Sequence, residues 1–177
     1  MKGVIFNLVE DVVRGEHGDD YWDEVVDTSG VAGAYTSLGT HPDVEMDLLA
    51  TTVGQREGVA TDAVVRHVGI VGMASLARRH PEFFVHGDLR SFLLSLNTVV
   101  HPEVRRLYPG AMIPDFDYRS PRADVLELVY ASERGRCDLA EGLVVGAAEH
   151  FGVPAVVRQR ECTRRGDPLC VIEVTFA

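Results

Sequence analysis

The sequence predicts an α+β fold, and three observations carry that prediction. Apolar residues recur at helical spacing up to about residue 108. After Pro114 the apolar residues gather into short strand-like runs around one apolar helix. No internal repeat, low-complexity tract or Ser-rich linker separates the two parts. Helices first, then an antiparallel sheet with one packed helix, is an α+β arrangement.

Val4, Ile5, Leu8, Val9, Val12 and Val13 mark a helix over residues 3–14, which Gly15 and Gly18 are expected to end. Residues 20–27 read as a second short helix, and residues 28–43, rich in Gly, Thr and Ser, as a loop. Helical patterns follow from about Asp43 to Arg56 and from Thr61 to Arg79, with Thr61 as the expected N-cap. Pro81 breaks the pattern. One amphipathic helix is expected from about Asp88 to Tyr108, stopped by Pro109-Gly110. Pro114 to Asp117 looks like a loop, residues 125–130 a strand and residues 135–151 an apolar helix. Ala155–Glu161 and Leu169–Phe176 read as strands joined by the turn Arg165-Gly166-Asp167-Pro168.

With 177 residues the chain suits one domain, 1–177, with a helical N-terminal part of about 1–60 and a second part of about 61–177. Its net charge of −10 disfavours nucleic acid and anionic membrane surfaces as partners. Three cysteines, an odd number, do not make a secreted disulfide framework, and no apolar run reaches transmembrane length. A cytoplasmic protein is expected. No Ser/His/Asp, Cys/His or phosphate-loop arrangement stands out, so the sequence does not read as an enzyme.

Of the seven histidines, His17, His41, His80 and His86 sit beside Gly, Pro or charged residues and are expected to face solvent. His67 and His150 lie on helices without a partner motif. His101 differs, because Leu93, Leu94, Leu96, Val100, Val104 and Leu107 lie near its face. The same spacing suits an ordinary core histidine. Pro102 follows at once, lacks an N–H and disturbs the preceding turn, so the backbone at His101 is expected to be soft.

The pattern Tyr-x-Ser-x-Arg occurs at Tyr118-Ser120-Arg122 and at Tyr130-Ser132-Arg134. On a strand, either copy would present two hydroxyls and a guanidinium on one face, a set suited to carboxylates. Pro121 interrupts the first copy, so the second is preferred. An imidazole for iron and a motif for two propionates can together hold an iron porphyrin.

At this point the residues resemble a known family, the H-NOX (haem NO/O2-binding) domains related to the haem domain of soluble guanylate cyclase. The opening Met1-Lys2-Gly3-Val4-Ile5-Phe6-Asn7 is similar to the family's N-terminus. His101-x-x-Val104-x-x-Leu107-Tyr108-Pro109-Gly110-Ala111 is similar to its proximal-ligand helix, and Pro114 to a proline that presses on the porphyrin. Tyr130, Ser132 and Arg134 match its propionate motif, and the run from Glu141 to Phe151 resembles the helix that follows. The resemblance implies non-covalent haem b with His101 as the axial ligand. It implies a sensor in which NO weakens the iron–histidine bond, helices shift, and a separate protein such as a histidine kinase or diguanylate cyclase reads the shift.

In O2-binding members a distal tyrosine occupies the position matched here by Leu139. Its expected neighbours, Ile5, Val9, Leu76 and Leu143, carry no polar group, so the pocket should favour NO and CO over O2. Some members bind zinc with four cysteines near the C-terminus. This chain offers Cys137, Cys162 and Cys170, with Gln159 about where a fourth ligand would stand, so zinc is doubtful. Buried thiols or a labile Cys162–Cys170 pair fit as well. Two other functions stay open: a haem-independent thiol or zinc redox sensor, and a small-molecule binder like the V4R domains, whose cysteine hairpin the segment from Cys162 to Cys170 resembles.

Overall fold

The computed structural model describes residues 1–85 and 87–177. Four helices open the chain: α1 (Gly3–His17), α2 (Asp19–Ser29), α3 (Asp43–Glu57) and α4 (Thr61–Arg79). Gly18 separates the first two at φ 89, a left-handed region that costs other residues a Cβ clash. Gly15 does not end α1; it sits inside the helix, where a β-carbon would meet open space. Thr61 is the first residue of α4 rather than its cap. Ala60 holds the cap position, and the Thr61 hydroxyl lies 3.1 Å from that of Thr51.

The buried faces of these helices close a first core around Phe6, Leu8, Trp22, Met46 and Leu49. The expected loop after α2 is tied to it: Tyr35 stacks on Phe6 at 4.2 Å and donates to Glu45 at 2.8 Å. Val64, Val65 and Val68 of α4 belong to this core, whereas Met73 belongs to the second. The second core lies between α4, α5 (Leu89–Ser95), α7 (Cys137–His150) and the sheet.

The sheet runs β1-β2-β4-β3, antiparallel throughout, from β1 (Asp115–Arg119), β2 (Val125–Ala131), β3 (Ala155–Glu161) and β4 (Cys170–Phe176). The stretch expected to be loop-like is thus largely strand β1. Its alternation, with Phe116 buried between exposed Asp115 and Asp117, is the strand signal. As an edge strand it would leave backbone groups open. The Asn97 side chain closes them, donating to the Phe116 carbonyl at 2.6 Å and accepting its N–H at 3.2 Å.

The single helix expected from Asp88 to Tyr108 is three segments: α5, a π-turn over Leu96–Val100, and α6 (His101–Leu107). Pro102 cannot donate four residues back, and the ladder slips so that the His101 N–H bonds Leu96, five residues back. The inserted residue shifts the phase of the buried face. Leu94 and Leu107, expected beside His101, are exposed instead.

Candidate functional site

A cavity of about 280 Å³ lies where the two cores meet. The walls from α1, α4 and α7 are apolar: Ile5, Met73, Leu76, Leu139, Leu143 and Val144. His101, Pro114 and Phe116 form another wall, and Tyr130, Ser132, Arg134 and Arg136 the polar rim. Val9, expected here, is fully buried in the first core and is not part of the lining.

His101 is 8% exposed and stacks against Phe116, ring centroids 5.8 Å apart. Burial and then the Arg105 charge hold its pKa down to about 4, against the smaller pull of Asp115 and the Pro114 carbonyl. The ring is therefore neutral near pH 7, the form that ligates a metal. Its Nδ1 is buried without a hydrogen bond of normal geometry.

The three motif residues do not share a strand face. Only Tyr130 lies in β2. The chain then turns through Ser132 and Glu133 to Gly135 at φ 61. The turn is held locally: Tyr130 accepts from the Arg136 N–H at 3.0 Å, and Ser132 from the Arg134 N–H at 3.2 Å. Arg134 Nε lies 3.2 Å from the Asp43 carboxylate but is buried without a hydrogen bond of normal geometry. Asp43 also receives the Met1 amino group, and Arg136 clamps Asp47 with two hydrogen bonds at 2.5 and 2.8 Å. The rim is thus anchored to α3 by two arginines. The first Tyr-x-Ser-x-Arg copy is scattered. Tyr118 donates to the Leu93 carbonyl, Ser120 accepts from Arg90, and Arg122 pairs with Asp124.

Other histidines depart from expectation. His80 lines the cavity, with Nε2 3.2 Å from the Tyr108 hydroxyl. His41 is half-buried against Phe6 and Tyr35. His67 has a partner, Glu16, at 2.8 Å. His17 and His150 are exposed, and His86 lies outside the described residues. Sequence reasoning missed Met73, His80, Tyr108 and Arg136 as lining residues. Tyr108 and Arg136 stand beside motifs already singled out, which was the available signal.

The cavity suits haem on its own evidence: apolar walls, one buried neutral imidazole whose Nδ1 makes no hydrogen bond of normal geometry, and a rim that carries the hydroxyls of Tyr130 and Ser132 with the Arg134 guanidinium, a set suited to carboxylates.

The three cysteine sulfurs lie within 4.8 Å of one another, all buried and all free. The contact pair is Cys137–Cys162 at 3.7 Å rather than a bonded Cys162–Cys170. Burial pushes the Cys137 thiol up to about 11. Burial also works against the Cys162 thiolate, but the Arg164 backbone and guanidinium outweigh it and draw that thiol below its usual value. Structural zinc takes four ligands. Here three thiols meet the Gln159 amide, so the cluster does not fit a closed zinc site.

This fold around this pocket defines a haem-binding gas-sensor domain. The chain belongs to the Haem-NO-binding (H-NOX) family, which it matches over residues 2–159. It is similar to an H-NOX protein from S. oneidensis solved in the Fe(II)NO state, with 28% identity, TM-score 0.93, and 100% of this chain and 99% of that one covered. An NMR structure of the H-NOX domain from Shewanella oneidensis in the Fe(II)CO state is similar with 28% identity and TM-score 0.89 over 100% and 99% of the two chains. The Fe(II) unliganded H-NOX protein from K. algicida is 26% identical, with TM-score 0.87 over 100% and 97%. No curated protein matches the chain.

Proposed function

We propose that the chain is a ferrous-haem nitric oxide sensor that binds NO and CO, excludes O2 and signals to a separate protein. Bound haem b would supply the iron that captures the gas. His101 would hold the iron, and Tyr130, Ser132 and Arg134 the propionates. The observation that carries the reading is a buried, neutral His101 sharing a cavity with walls that carry no hydrogen-bond donor on α4 or α7 among the described residues. O2 draws negative charge when it binds and needs such a donor; NO does not. The NO-ligated and CO-ligated relatives support the choice of gas.

The chain's own residues supply a route for the signal. His101 opens a short helix directly after a π-turn, so a change in the force on its ring meets a weak point in the ladder. The rim arginines Arg134 and Arg136 reach Asp43 and Asp47 of α3, which links the pocket to the N-terminal helices of about residues 1–60. A histidine kinase or diguanylate cyclase is the proposed reader and the cytoplasm the proposed location. Among the described residues no single helix is long and apolar enough to cross a membrane.

Two measurements test this. The reduced protein should shift its Soret band with NO and with CO, but not with O2. Leu139→Tyr, which places a hydroxyl on the α7 wall, should create a detectable O2 complex; no O2 complex in this variant would refute the placement of Leu139 beside the gas. A protein that stays colourless after haem reconstitution would favour a small apolar ligand in the same cavity.

Pro102→Ala restores the missing donor and should draw the π-turn back to α-helix. The NO-induced structural change, followed by hydrogen exchange over residues 96–107, should shrink. An unchanged response would show that the soft turn plays no part.

A further inference from the structure

Cys137, Cys162 and Cys170 come from three elements: the start of α7, the residue after β3 and the start of β4. Their sulfurs nevertheless lie within 4.8 Å of one another, two of them 3.7 Å apart. Three thiolates around one ion at ~2.3 Å in a trigonal arrangement stand ~4.0 Å apart, so these sulfurs lie close to the spacing that a shared ion requires. The cluster is also ringed by donors, which apolar packing alone would not require. The Thr163 N–H and hydroxyl lie 3.4 and 3.3 Å from Cys170 Sγ. The Arg164 side chain reaches Cys162, and the Gln159 amide abuts Cys137 with its Nε2 buried and otherwise unpartnered. Outer donors of this kind hold and orient ligating thiolates.

We propose that the three cysteines form a three-coordinate thiolate site for a soft monovalent ion of the Cu(I) class, and that Gln159 closes the corner where a fourth ligand would make it a zinc site. Thiolates favour soft ions, and a neutral carboxamide is a poor substitute for a fourth thiolate or imidazole. The ion has an entry path. Gln159, Cys162 and Arg164 line a polar cleft of about 590 Å³ that opens beside the cluster. Binding releases the thiol protons to solvent. None of the three cysteines lines the apolar cavity, so this site stands apart from the haem reading.

The test uses the full chain, anaerobic and with all thiols reduced, titrated with Cu(I) against a chromophoric Cu(I) chelator. One copper per chain is expected, lost in Cys162→Ser and in Cys170→Ser. Zinc alone should not bind stoichiometrically, and Co(II) should show no tetrahedral thiolate bands. Gln159→Cys should bind one zinc per chain and develop those Co(II) bands. Where Cys137→Ser fails to fold, the other three variants carry the same test. The proposal falls if the unaltered chain takes stoichiometric zinc with a tetrahedral Co(II) spectrum. It falls equally if no copper binds, if copper survives loss of either Cys162 or Cys170, or if Gln159→Cys gains no zinc.

Discussion

His101→Ala is expected to abolish the five-coordinate ferrous Soret band of the dithionite-reduced protein, and with it the shift on adding NO. The expectation rests on placement. Among the described residues lining the cavity, His101 is the buried imidazole that faces Pro114 and Phe116, and its low pKa keeps a lone pair available at neutral pH. His80 lines the same cavity but is engaged with Tyr108 and Glu82. Removing one imidazole from a wall that also contains Phe116, Val100 and Val104 should leave the fold intact, so far-UV circular dichroism should match the parent. Free imidazole added to His101→Gly should restore the band by refilling the space. A His101→Ala protein with an unaltered Soret band and unaltered NO response would place the iron ligand elsewhere.

Gly142→Ala is expected to be the most damaging single methyl in the chain. α4 and α7 meet backbone to backbone. A β-carbon at Gly142 would lie 2.0 Å from the Arg66 carbonyl oxygen, 2.9 Å from its carbon and 3.1 Å from Gly69 Cα. None of these atoms can rotate away, so the two helices must separate. Gly69 and Gly146 face the partner helix in the same way. Overpacking of this kind costs about 3 kcal/mol or more, a large share of the ~5–15 kcal/mol that holds a domain together. The melting temperature should fall by roughly 6–12 °C. The same helices form the apolar wall of the cavity, so haem retention should fall with stability. Gly15→Ala supplies the contrast. It lies inside α1 with nothing within 4 Å of the added carbon, and should stabilise by roughly 0.5–1 kcal/mol. Urea midpoints of the two variants would separate the close approach of α4 and α7 from the ordinary helix preference of alanine.

Much of the site was legible because it rests on local chemistry. A lone histidine among leucines and valines, and two hydroxyls with a guanidinium in five residues, can be read without coordinates. The sequence reading of the motif geometry was wrong in a specific way. The spacing predicts one strand face, yet the strand ends at Ala131 and a turn gathers Ser132 and Arg134 beside Tyr130. Short strands and turns both leave such residues close together, and only the pairing of β2 with β4, which stops at Tyr130, decides between them. Strand β1 was missed for a related reason. Five residues between two prolines carry too little pattern to outweigh the breakers, and it is partners on both sides, β2 and the Asn97 side chain, that hold the strand.

The sequence by itself determined the α+β class and the order of helices before sheet, and it pointed to His101 and the motif from Tyr130 to Arg134 as a candidate site, because periodicity and side-chain chemistry are written locally. The tertiary structure alone decided that Val9 packs into the first core while Met73 lines the cavity, that Arg134 and Arg136 lean on α3, and that three cysteines far apart in sequence meet around Gln159. These are contacts between distant segments, set by how two glycine-lined helices and a sheet close on one another, and no local pattern encodes that distance.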